Sequence, residues 1–221
     1  AQLKGQRFSV LHLPHGGSRT NWTGRRSPRV DDDVSWAVAS PDLYWRLCYR
    51  SGPAFAGMWA MASGLKLPEG GAVVEVGTML GDGASVLAAA FPEHRVITTD
   101  PGISKAVVDL AKHRTGFWPN VEMWSLRSLD AAKRFAEDAS LPPVGLAYLD
   151  GSHLRQDVVD DIRAWRQLVC PGGFLCGHDY TDEHQGVVEA VDADLGKPFA
   201  VFCDGSWIAD LGGPEGARPM A

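Results

Sequence analysis

Four short stretches hold the residues with the most chemistry to offer. VVEVGTMLGDG (residues 73–83) sets an acid, Glu75, two positions ahead of the first of three glycines, Gly77, Gly81 and Gly83. ITTD (97–100) runs a β-forming segment onto Asp100. YLDGSHL (148–154) and CGHDY (176–180) carry apolar runs onto Asp150 with His153, and onto His178 with Asp179. Glycine lets a ligand approach the backbone closely and permits positive φ, and a helix that starts there offers free N–H groups to a carboxylate. The spacing Gly-x-x-x-Gly-x-Gly differs from the dinucleotide signature Gly-x-Gly-x-x-Gly. An acid beside the bend repels a pyrophosphate and suits an amino group. The expected ligand is therefore a nucleoside carrying an amino acid, S-adenosylmethionine (SAM). Glu75, Gly77, Thr78, Met79, Gly81 and Gly83 would hold it, with Asp100 accepting both ribose hydroxyls. A side chain at Gly81 is expected to occupy the ligand's place.

The second pair of stretches points to acid–base or metal chemistry. Asp150 and Asp179 come together if their strands are adjacent, and two carboxylates in one cleft repel unless a proton or a cation lies between them. Hard divalent ions take oxygen ligands, Mg2+ with six-coordination and retained waters, and such an ion lowers the pKa of a bound hydroxyl. His178 is either a third ligand, better matched to Mn2+ or Zn2+ than to Mg2+, or, like His153, a general base, since a free imidazole titrates near ~6.5. Asp150 and Ser152 are also good caps for the helix that follows. His184 belongs on the same rim, while Asp182 and Glu183 read as acids favoured at a helix start.

The elements that must position these groups follow from residue 71 onward. β-type runs at 72–76, 95–99, 121–124, 144–149 and 174–177 alternate with helical patterns at 82–90, 104–113, 129–138, 154–169 and 186–195. The long helix puts Val158, Ile162, Trp165, Leu168 and Val169 on one face. Two last strands, 199–202 and 207–211, are separated by too short a linker for a parallel crossover, so they must be antiparallel. The fold class is α/β: a Rossmann-like open sheet of about seven strands, mostly parallel with a C-terminal antiparallel hairpin, and helices on both faces.

With 221 residues, 45% hydrophobic and 22% charged, one core is expected. Residues 1–30 read as a flexible arm, 31–66 as a helical lid or cap crowded with aromatics, and 67–221 as the catalytic domain. A net charge of −6 argues against nucleic acid, although RTNWTGRRSPR (19–29) is locally basic. No apolar run reaches a membrane span, and Cys48, Cys170, Cys176 and Cys203 show no metal spacing and fit a reducing cytoplasm. The arm and the aromatic segment make a homo-oligomer plausible.

Residues 73–83 resemble the first motif, and ITTD the second, of class I SAM-dependent methyltransferases. YLDGSHLRQDVVDDIRAWRQLVCPGGFLCGHDY (148–180) is similar to methyltransferase family 24, which includes sugar and small-molecule O-methyltransferases. The resemblance spans about residues 70–211. It implies SAM as methyl donor, a small hydroxylated acceptor such as a sugar or natural-product intermediate, and magnesium (or Mn2+) held by Asp150 and Asp179, with His178 standing where the family has a second acid. It also implies that Arg127 and Ser128, in SLRSLD (125–130), flank the adenine; capping of the next helix is a rival use of Ser128. Two alternatives remain: an NAD-linked oxidoreductase, disfavoured by the glycine spacing and the lack of a Tyr-x-x-x-Lys pair, and a SAM-binding relative without catalysis. Transfer to nitrogen is open as well.

Overall fold

A computed structural model describes residues 55–102 and 104–211. The arm at 1–30 and most of the lid segment, up to residue 54, lie outside the described residues. The elements run α1 (Ala56–Ser63), β1 (Ala72–Val76), α2 (Asp82–Ala90), β2 (Val96–Thr99), α3 (Lys105–Thr115), β3 (Val121–Trp124), α4 (Ser128–Glu137), β4 (Val144–Leu149), α5 (Arg155–Leu168), β5 (Val169–Gly177), α6 (Gln185–Asp194), β6 (Ala200–Val201) and β7 (Trp207–Ile208). They form one seven-stranded sheet in the order β3-β2-β1-β4-β5-β7-β6. The first five strands pair in parallel, and β7 is antiparallel to both β5 and β6.

Alternate residues of the central strands feed two cores. Val73, Leu146, Tyr148, Phe174 and Cys176 pack on one face with Met58 and Met61 of α1 and Val86 and Leu87 of α2. Val74, Val76, Ala147, Leu149 and Leu175 pack on the other, with Ile162 and Trp165 of α5 and Val187 and Val191 of α6. Strands buried on both sides have to be apolar almost throughout, as β1 and β4 are. The chain moves outward from β1 to β3 and then returns to lay β4 against β1. The order therefore reverses between β1 and β4, where ligands of open α/β sheets bind.

Most boundaries fall within a residue or two of the sequence-based expectation, and the larger departures lie in β5 and in the last two strands. β5 begins at Val169 rather than 174, because the ladder with β4 resumes after a register shift between Val144 and Leu146 and carries Pro171-Gly172-Gly173 within it. The last two strands shorten to two residues each, since Phe202 N–H donates to Ser206 O and Gly205 N–H to Phe202 O, closing the turn early. Of the cysteines described, Cys176 is buried in the core while Cys203 is exposed. No helix among the described residues is long and apolar enough to cross a membrane.

The described end of the lid segment is anchored. Asp204, in the linker between β6 and β7, accepts from Met58 N–H of α1 at 2.8 Å and from Ser206 N–H at 2.9 Å. Gly57 is needed beside it, as a Cβ there would lie 2.0 Å from Asp204 Oδ1. Asp204→Ala leaves both donors unpaired, and an orphaned buried N–H costs about 1–3 kcal/mol. Urea denaturation is expected to show a loss in that range; an unchanged midpoint would mean that Asp204 does not anchor α1.

Candidate active site

The bend after β1 is shaped by backbone packing. Gly77 (φ 99°) and Gly81 (φ 80°) are left-handed, and so is Met79 (φ 41°). A Cβ on Gly77 would meet Asp150 O at 1.9 Å, so this glycine lets the ends of β1 and β4 touch. A Cβ on Gly83 would meet Glu75 Oε1 at 2.1 Å. A Cβ on Gly81 would meet Thr115 Cγ2 at 2.9 Å and the backbone of Ala111. The expectation that a Gly81 side chain fills the ligand's place is thus corrected: it points at α3, and Gly81 is required for helix packing and positive φ. Arg114, which the sequence reading passed over, locks the same bend. It is buried and donates to Asp82 Oδ2 at 3.0 Å.

Glu75 lies beneath the bend, 1% exposed. Thr98 donates to its Oε2 at 2.5 Å, and the Thr98 oxygen is 2.6 Å from that of Thr78. Burial pushes the Glu75 carboxyl well above the ordinary carboxylate range, with Asp150, Asp100 and Asp82 adding to the effect against the Thr98 hydrogen bond. A cation at the mouth favours the carboxylate form. Asp100, at the end of β2, accepts from Met79 N–H at 2.9 Å and from Gly102 N–H at 2.6 Å, so it holds the exposed Met79 in place across the mouth.

Next to this bend β4 and β5 deliver the second group of residues. Asp150 N–H donates to Val76 O at 2.8 Å and His178 N–H to Leu149 O at 3.0 Å, which extends the ladders to the two chemical positions. His178 Nδ1 lies 3.0 Å from Asp179 Oδ1 and 3.9 Å from Asp150 Oδ1. His153 Nε2 reaches Asp179 Oδ2 at 2.8 Å, and His184 Nε2 reaches Asp179 Oδ1 at 3.6 Å. Asp179 sits at φ 61°, costly for a residue with a Cβ. Leu149, Asp150, His153, His178, Asp179 and Trp207 line one cavity.

The electrostatics follow from crowding like charges out of water. Burial pushes Asp150 up to about 7; His178 opposes the rise, and Asp179 and Asp204 add to it. Burial works against the His178 imidazolium, but the Asp179 hydrogen bond and the charges of Asp150, Asp179 and Asp204 prevail and raise it to about 9. Burial also works against charge on Asp179, yet the His178 hydrogen bond and the three neighbouring imidazoles hold it below the usual range. His178 Nε2 is buried with no hydrogen-bond partner among the described residues. Donor atoms of Asp150, His178 and Asp179 lie within 4.8 Å of one another, a set able to hold a divalent ion.

Residues 74–180 match the family model of a methyltransferase domain, methyltransferase family 24. Residues 74–180 thus form a SAM-dependent methyltransferase domain of class I. No curated protein matches it in sequence. Among solved structures it is similar to the TDP-rhamnose 3'-O-methyltransferase of calicheamicin biosynthesis (16% identity, TM-score 0.56, covering 82% of this chain and 88% of that one). It is also similar to an O-methyltransferase from Bacillus cereus in complex with S-adenosylhomocysteine (18% identity, TM-score 0.50, 62% of this chain and 73% of that one). At these identities the likeness is one of fold.

The methyltransferase deals differently with the two residues expected at the adenine. Arg127, just before α4, is exposed. Ser128 turns its hydroxyl toward α5 instead: Trp165 Nε1 donates to it at 2.9 Å, and it hydrogen-bonds to Asp161. That leaves Ser128's backbone, not its hydroxyl, for a ligand. Neither Asp161 nor Trp165 stood out in the sequence as a partner, since α5 shows its apolar period and nothing of what it meets across the fold.

Proposed function

We propose that this methyltransferase moves the methyl group of SAM to a hydroxyl of a small acceptor, a sugar or natural-product intermediate. A divalent cation, Mg2+ or Mn2+, would be held by Asp150 and Asp179, with His178 as third ligand. One observation carries the reading: two carboxylates and an imidazole converge at the ends of β4 and β5, against the strand that bears the glycine bend. Asp150 has a carboxyl raised to about 7, and His178 turns Nδ1 toward both Asp179 and Asp150, an arrangement suited to a cation. When bound, the ion polarises the acceptor hydroxyl and lowers its pKa.

The chain's own residues do the rest. The bend at 77–83 carries the donor, Asp100 takes its ribose, Arg127 and the Ser128 backbone border the adenine, and Glu75 lies beneath the bend, where the donor's ammonium would favour its carboxylate form. Asp150 and Asp179 orient the acceptor. His178 holds its proton up to about 9 while no ion is bound and would have to give it up to serve as a ligand, so in neither state is it a ready base. His153 is half-exposed, with Nε2 2.8 Å from Asp179 Oδ2; the tautomer carrying its proton on Nε2 would keep Nδ1 open as the base. The acceptor oxygen attacks the methyl carbon, the carbon–sulfur bond breaks, S-adenosylhomocysteine leaves, and the hydroxyl proton passes to His153.

The test is a screen of nucleotide sugars and phenols for S-adenosylhomocysteine release, with and without chelator. Chelation is expected to remove turnover and added Mg2+ or Mn2+ to restore it. Metal affinity should rise with pH through about 7 and on toward about 9, because the ion must displace the protons held at Asp150 and at His178. A second reading has its own support: the His178 imidazolium lies where the cation would bridge the two carboxylates. Full turnover in chelator would favour that metal-free site. SAM binding with no transfer to any acceptor would favour the non-catalytic alternative.

A further inference from the structure

We propose that His153, Asp179 and His184 form a binding site for a borderline divalent transition ion of the Zn2+ or Co2+ class, overlapping the oxygen-rich pair Asp150 and Asp179 at Asp179 alone. The three residues come from three separate places, and the fold brings them together deliberately. The turn after β5 is tight: Thr181 N–H donates to Asp179 O at 2.8 Å and His184 N–H to Thr181 O at 3.0 Å, which folds His184 back over the Asp179 carboxylate. His153 arrives from the loop before α5. The start of α6 lies directly on that loop, since a Cβ on Gly186 would fall 2.4 Å from His153 O and 2.9 Å from Arg155 N. The two imidazoles end with ring centres 4.1 Å apart.

The donor atoms suit one ion. His153 Nε2 and His184 Nε2 stand 2.8 and 3.6 Å from the Asp179 carboxylate oxygens, and donors from all three residues lie within 4.8 Å of one another. In a tetrahedral site with bonds near 2.0–2.1 Å, ligand atoms are about 3.3 Å apart, so small rotations of the exposed His153 and the partly exposed His184 toward Asp179 suffice. Two imidazoles and a carboxylate select ions such as Zn2+ over Mg2+, which prefers oxygen. Three protein ligands leave a fourth position for water or another ligand. The site does not depend on the methyl-transfer reading, although it shares Asp179 and His153 with the machinery proposed there.

Co2+ titrated into the full chain tests it. The expected result is a one-to-one complex with the visible absorption of low-coordinate, imidazole-ligated Co2+, displaced by Zn2+ and not by equimolar Mg2+. His184→Ala and, separately, His153→Ala should each weaken Zn2+ binding by about 10-fold or more in calorimetry, while Asp150→Asn leaves the Co2+ spectrum in place. Asp150→Asn abolishing the spectrum while His184→Ala and His153→Ala leave it intact would overturn the proposal, as would the absence of stoichiometric Co2+ or Zn2+ binding by a chain that still binds SAM.

Discussion

Asp150→Asn is expected to remove nearly all turnover while making the folded chain more stable at neutral and alkaline pH. Activity should fall about 100-fold or more, the usual consequence of losing a group that orients and polarises the acceptor. SAM affinity should change only a few-fold, because the bend at 77–83 and Asp100 remain. The stability change has the opposite sign for an electrostatic reason. Folding raises the Asp150 pKa from 3.8 to about 7, so the fold disfavours the charged form. That penalty is absent below the unfolded pKa, grows with pH, and is complete above about 7. Asparagine never bears it. The gain is discounted because the side chain keeps 25% of its exposure and because the His178 imidazolium loses one of its partners, which leaves on the order of 1–2 kcal/mol at pH 8. Urea denaturation at pH 4 and pH 8 reads it: equal midpoints at pH 4 and a higher one for the variant at pH 8. A variant less stable at both pH values would mean that Asp150 holds the fold together, and its loss of activity would then say little about chemistry.

Gly77→Ala should be the most damaging single-methyl change in the bend. Its Cβ would overlap Asp150 O at 1.9 Å and Asp150 C at 2.6 Å, both backbone atoms, and φ is 99°. Neither partner can yield by rotating a side chain. Forcing them apart separates β1 from β4, the pair on which both halves of the site rest. A loss of about 3 kcal/mol or more is expected, together with SAM binding. Gly70→Ala is the control. Gly70 also has positive φ, 71°, but nothing lies within 4 Å of its added Cβ, so it pays only the conformational cost of about 1 kcal/mol. If the two variants lose the same stability by urea denaturation, the contact between the ends of β1 and β4 is not what Gly77 protects.

Much of this was legible in the residue order. Alternating periods gave five parallel strands and the helices between them, and the four-residue linker forced the last two strands to be antiparallel. The placement of Asp100, Asp150, His178 and Asp179 at strand ends followed from where apolar runs stop. These are local properties: a period of two or 3.6, a turn residue, the end of a hydrophobic segment. Burial on both faces of β1 and β4 is likewise written in their lack of alternation.

What remained hidden depends on which surfaces meet. Glycines 77, 81 and 83 look alike in the sequence, yet the fold aims their missing side chains at Asp150, Thr115 and Glu75 respectively. The Ser128 hydroxyl faces α5, Arg114 clasps Asp82, and Asp204 anchors a helix 146 positions away. His184 joins His153 only because a turn and a glycine contact bring α6 onto the loop before α5. By itself the sequence determined the elements, their order across an open sheet and the residues standing at its ligand-binding edge, because these follow from short-range periodicity and chain connectivity. Only the tertiary structure decided which side chains line the site, which hold it in shape and which proton sits where, because those depend on contacts and burial between segments far apart in the chain, where desolvation and neighbouring charge set both geometry and protonation.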